Sequence, residues 1–181
     1  MHTPRPVPTI AAVATAIVVA GCGAKNEVSP AAYVKSVCTA VGPFERDVAT
    51  RSSALDVAHI TNPKQGKIAL QGFLSASASD AGSAVSKIKS AGTPNVSNGK
   101  NIASGISGAF GQLQGVLQGA ASQAGTLPTD SPGKFKTAAQ SLGSRVRSSL
   151  SSIGASLTGL RNPDLEKAAR KERSCQSLGG G

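Results

Sequence analysis

Aromatic side chains are nearly missing from this 181-residue chain, which has four Phe, one Tyr and no Trp. That argues against a deep aromatic-lined ligand pocket and against the stacking platforms that hold single-stranded nucleic acid. Histidine is equally scarce, with His2 and His59 alone; a lone His59 reads as a surface or turn residue rather than a catalytic base, and with two lone cysteines it lacks metal-ligand spacing. The nine acidic residues are scattered. The nearest group, Glu45 and Asp47, would point to different faces of a helix. Serine is abundant, but no Gly-x-Ser-x-Gly elbow stands between a strand and a helix, and no phosphate-cradling loop occurs. These gaps point away from an enzyme, and no cofactor or metal is expected. Period-two runs of β-branched or aromatic residues are lacking too, which excludes an extended sheet.

Four helices and a short fifth are expected instead. Ser29-Pro30, Asn62-Pro63, Ser131-Pro132 and Asn162-Pro163 each join a capping side chain to proline at the first helical position. Behind the first runs the stripe Val34, Val37, Val41, Phe44, Val48, Leu55, which Gly42-Pro43 is expected to kink or break. The second carries Leu70, Leu74, Ser77, Ala81, Ala84 and Ile88, and Ala91-Gly92 with Pro94 stops it. A third begins near Ser97 or Asn98, with Ile102, Ile106, Phe110, Leu113, Leu117 and Ala121 on one side, and ends at Leu127-Pro128. The fourth has the cleanest pattern: Phe135, Ala139, Leu142, Val146, Leu150, Ile153, Leu157, Leu160. In the fifth, Leu165, Ala169, Glu172 and Cys175 share a face, with early acids and later bases matching the helix dipole. Heptad-like steps and short proline-marked turns predict an all-α fold, an antiparallel four-helix bundle with a short fifth C-terminal helix.

The third helix is peculiar. No charge occurs between Lys100 and Asp130, and Gly111, Gly115 and Gly119 form a small-residue ridge. Each glycine costs up to about 1 kcal/mol in an exposed helix, so the ridge is expected to pack closely inside the bundle. The alternative is a membrane-active helix over residues 101–127, although Gln112, Gln114, Gln118 and Gln123 oppose a stable span.

The N-terminus carries the sharpest signal. A basic start at Arg5, an uncharged run over residues 7–20 and small residues at a cleavage point make a secretory signal. The run is too short to span a bilayer, which takes roughly 20 apolar residues. Val19-Ala20-Gly21-Cys22 resembles the lipobox of bacterial lipoproteins. That resemblance implies that Cys22 carries a diacylglyceryl group and becomes the first residue after cleavage. Cys38 and Cys175 are then the remaining pair, at the two ends of the domain. In an oxidising compartment they read as a disulfide, against the blander alternative of two free thiols. Losing Arg5 with the signal lowers the formal net charge from +10 to +9. Export makes nucleic acid a poor partner for that charge. Anionic lipid headgroups or acidic wall polymer suit it better, through Lys87, Lys89, Arg145, Arg147, Lys167, Arg170, Lys171 and Arg173.

Tyr33-Val34-Lys35-Ser36-Val37-Cys38, Ala91-Gly92-Thr93-Pro94 and the run from Asp164 to Cys175 resemble small exported lipoproteins of actinobacteria. The resemblance implies a helical, disulfide-bearing envelope protein and supplies no ligand. The expected organisation is a signal peptide over 1–21, a tether over 22–28, a helical domain over 29–178 and a flexible tail over 179–181. The expected role is a non-enzymatic interaction or structural module, lipid-anchored at the extracytoplasmic face of the cell membrane. A small-molecule carrier with a hollow bundle is the other alternative. Oligomeric state is open.

Overall fold

The computed structural model describes residues 26–55 and 60–178. Their element order is β1 (Glu27–Val28), α1 (Pro30–Ser53), α2 (Pro63–Ser90), β2 (Thr93–Pro94), α3 (Gly99–Gly125), α4 (Pro132–Thr158), α5 (Pro163–Ala169) and α6 (Arg173–Gln176). The fold is all-α, and four long helices form the bundle.

Five of the six helices described have a side-chain N-cap, four of them at the cap–proline pairs of the sequence. Ser29 accepts from the Ala32 N–H at 3.2 Å, and Ser131 from the Lys134 N–H at 3.3 Å. Asn62 accepts from Lys64 and Gln65 at 3.1 and 3.3 Å, and Asn162 from Asp164 and Leu165 at 3.0 and 3.3 Å. Each bond satisfies an amide that the helix itself leaves without a partner.

Three local expectations are corrected. First, α1 runs unbroken through Pro43. Its flanks are held: Cys38 is tied to α6 through the disulfide, and the Leu178 side chain lies against buried Gly42. That outside support offsets the hydrogen bond proline removes. Second, the C-terminal helix is split. Glu172 leaves the helical path, and its carboxylate takes the Ser174 N–H at 3.2 Å and the Ser174 hydroxyl at 3.0 Å, which caps a new turn. Third, two residues of parallel strand pairing exist after all. Thr93 N–H donates to the Asn26 carbonyl and Asn95 N–H to that of Val28, both at 2.8 Å. A two-residue pairing is too short to carry a periodic signature.

The closest helix pair is α2 with α3, an antiparallel hairpin. Alanines line its seam: Ala78 and Ala81 from α2 meet Ala120, Ala121 and Ala124 from α3. Small side chains let the two backbones approach, and Leu70, Leu74, Leu117, Leu127, Phe135 and Leu142 complete the same core. Helix α1 packs on α2, and the Arg51–Asp80 ion pair joins them. Helix α4 packs on α3, whereas α5 and α6 fold back along α1.

Candidate functional site

The chain enters the described structure at one end of the bundle, where β1 lies on β2. Two glycines make that turn possible. Gly92 has φ +82, the left-handed region that side chains rarely adopt, and the Asn26 carbonyl lies where its Cβ would be. At Gly99, a Cβ would stand 2.0 Å from the Pro94 carbonyl oxygen, so only glycine fits. Asn98 precedes it with φ 61 and makes no side-chain cap, which is why α3 lacked a clear starting signal.

A second apolar cluster gathers at the same end. Tyr33 and Val34 from the first turn of α1 pack with Ile102 from the first turn of α3 and with Leu165 of α5. Beside them lies a cavity of about 350 Å³, walled by Val37, Ile102, Ile106, Leu157, Leu160 and Leu165, with Tyr33 in the wall. Polar side chains stand at its rim, where Arg161 Nε donates to Glu166 Oε1 at 2.8 Å. The Arg161 guanidinium holds the Glu166 carboxyl below the usual carboxylate range. Tyr33 is 2% exposed and its hydroxyl has no hydrogen-bond partner. Burial pushes its phenol pKa upward, so it is a neutral donor. Sequence reasoning missed both cavity and tyrosine. The available signal was the placement of the chain's single Tyr in an otherwise aliphatic stripe.

Cys38 and Cys175 form a disulfide with Cα atoms 5.1 Å apart, across 137 residues of sequence. It fastens α1 to α6. Cys22, the predicted lipid attachment point, lies outside the described residues, as does His59.

The basic residues expected to meet an anionic surface do not form one patch. Lys87 and Lys89 sit at the end of α2, and Lys167, Arg170, Lys171 and Arg173 on α5 and its continuation along α1. Arg145 is elsewhere, donating to Gln123 near the other end of α3, and Arg147 is exposed beside it on α4. Lys35, overlooked in the sequence, joins Lys87 in a groove of about 590 Å³ between α1 and α2, with Ser36, Thr39 and Ser90. Lys35 also helps depress the Glu172 carboxyl, after the two bonds from Ser174. The serines of this region are occupied locally: Ser86 and Ser90 hydroxyls donate to the carbonyls of Gly82 and Ser86 at 3.1 and 3.0 Å.

The glycine ridge of α3 does not pack. A Cβ at Gly108, Gly111, Gly115 or Gly119 would meet nothing within 4 Å. The alanine seam faces α2, which leaves the ridge on the outer side. Close packing falls on other glycines: a Cβ at Gly66 would stand 2.7 Å from Ile60 and 2.9 Å from the Phe135 ring. Among the described residues, no helix is long and apolar enough to cross a membrane, and no group of three or more His, Cys, Asp and Glu could hold a metal ion.

Compared with known proteins, the chain matches no family model, no curated protein and no solved structure.

Proposed function

We propose that this protein is a lipid-anchored, non-enzymatic module of the cell envelope, of the kind found among exported actinobacterial lipoproteins. It is held at the extracytoplasmic face of the membrane through Cys22. One observation carries the reading: the Cys38–Cys175 disulfide is formed, and it lies inside a chain whose first residues have the order of a lipoprotein signal. Disulfides persist in oxidising compartments, outside the cytoplasm. Two acyl chains on one cysteine give stable attachment where a single chain is reversible. The cations on α2 and α5 supply a secondary attraction to anionic headgroups or wall polymer, weakened by salt.

The test is the intact mass of protein extracted from its native membrane, with and without reductant. The expected mass is that of a chain beginning at Cys22 plus a diacylglyceryl group, rising by two hydrogens on reduction. A full-length, unmodified chain with three free thiols overturns the reading and returns the basic charge to a cytoplasmic, nucleic-acid-facing role.

A further inference from the structure

We infer that the groove between α2 and α3 holds a stretch of acidic polysaccharide, with neutral sugars along the groove and an acidic group over the lysines at one end. The inference rests on the envelope reading for the presence of such a polymer and names which anionic partner fits. The groove has a volume of about 860 Å³, and its floor includes Ala78 and Ala121 of the alanine seam. Two glutamines cross it in opposite directions. The Gln114 amide of α3 lies over Gly82 of α2, where a Cβ would stand 2.6 Å from its nitrogen. The Gln71 amide of α2 lies over Gly125 of α3, where a Cβ would stand 2.9 Å away. Each helix separates the two crossings by the same interval, 71 to 82 and 114 to 125, which is roughly 16 Å of helix. Among the described residues neither amide has a hydrogen-bond partner, so each offers the groove an acceptor oxygen and a donor nitrogen. Packed on the facing backbone, both lose little freedom when a ligand arrives.

Ser75, Ser79 and Ser83 follow one another along the α2 wall, one turn apart, and Gln118 and Ser122 line the α3 wall. Neutral hydroxyls and amides of this kind suit a ligand that is itself rich in hydroxyls. They suit a peptide poorly, because a floor of alanine and glycine has no pocket for its side chains. Charge is confined to one end. Lys89 lines the groove there, and Ser86 is shared with the neighbouring groove that Lys35 and Lys87 line. Among the described residues no acid lines either groove, and Asp80, the one acid of α2, pairs with Arg51 of α1. Three lysines beside a neutral track fit a polymer whose carboxylates or phosphates are spaced by uncharged units. A flat bilayer would meet the lysines and leave the concave track empty. With no aromatic side chain in the lining, affinity has to come from several sugars held at once.

Heteronuclear NMR titration of the full chain carrying Cys22→Ser, which removes any covalent acyl group, tests this with three polymers. Hyaluronan oligosaccharides alternate neutral and carboxylated sugars, dextran is neutral, and polyglutamate is charge alone. Hyaluronan is expected to shift the side-chain amide signals of Gln71 and Gln114. It should bind about tenfold more tightly than dextran of equal length at low salt, the sum of three exposed ion contacts. Replacing Lys35, Lys87 and Lys89 together with Gln should remove that advantage and leave dextran binding unchanged. Gly82→Ala should displace the Gln114 amide and weaken both saccharides by up to about tenfold, with the melting temperature unchanged or raised. Glutamine signals that stay still with every saccharide overturn the proposal. So does polyglutamate binding as tightly as hyaluronan, which leaves only diffuse charge. Phosphatidylglycerol vesicles that move the same two glutamine signals assign the groove to a lipid surface and overturn it as well. If native protein has the lipidated mass yet every titration is flat, the groove inference fails and the anchored module stands. Saccharide binding by a protein whose native mass shows no lipid removes the anchor and keeps the groove.

Discussion

Helices α2 and α4 are near twins in sequence terms, 28 and 27 residues long, each proline-started and each with an apolar stripe at helical spacing. Their fates differ. Helix α2 buries nine residues along its whole length, because α1 stands on one side of it and α3 on the other. Helix α4 buries only Phe135, Ala139 and Leu142, all in its first half, since α3 is its main neighbour. Beyond Leu142 the stripe is only partly covered: Val146 packs against the main core and Leu160, just past the helix, against the second cluster, while Leu150 is 40% exposed. Periodicity reports that one face of a helix is apolar. It does not report whether anything stands opposite.

The largest test of that difference is the disulfide. Because α4 makes its main contacts with α3 and not with α1, the chain end beyond it is held to α1 by the packing of Leu165 on Tyr33 and Val34 and by the Cys38–Cys175 bond. Replacing both cysteines with alanine should lower unfolding free energy by up to about 5 kcal/mol in the chain-entropy view, measured by urea denaturation. A loss under about 1 kcal/mol would mean that α5 and α6 hold to α1 unaided. Next come matched truncations. Leu74→Ala in α2, at a position 5% exposed, should cost about 2–5 kcal/mol, and Leu150→Ala in α4 under about 1 kcal/mol. Equal costs would show that the second half of α4 is covered in solution. The smallest contrast uses glycine. Gly66→Ala should destabilise by about 1–3 kcal/mol, because the new methyl meets Ile60 and the buried Phe135 ring. Gly143→Ala, facing open space on α4, should stabilise by about 0.4–1 kcal/mol, read as a rise in melting temperature. Opposite signs are required.

Much of the fold was written locally. Ser29, Asn62, Ser131 and Asn162 are side chains that bond the amides two or three residues ahead, so four starts could be placed from neighbours in sequence. The stripe of α2 was equally legible, down to Ser77 filling an apolar position with a buried hydroxyl. What escaped depends on residues far apart. Gly111, Gly115 and Gly119 look like a packing ridge until the alanine seam takes the contact with α2 and turns them outward. Pro43 looks like a break until Cys175 and Leu178 brace the helix around it. The cavity is the clearest case. Tyr33 and Ile106 come from two helices and Leu160 from the turn after α4, and no single stretch announces that they will leave a gap between them.

The bond between Cys38 and Cys175 also changes the topology of the molecule. With it closed, everything from the first third of α1 to α6 is a covalent ring, and the N-terminal segment is a stem attached to that ring. One proteolytic nick anywhere inside the ring leaves two chains joined by the disulfide, one of them still carrying the stem, and releases nothing. Shedding any part of it takes two cuts, or one cut and a reductant.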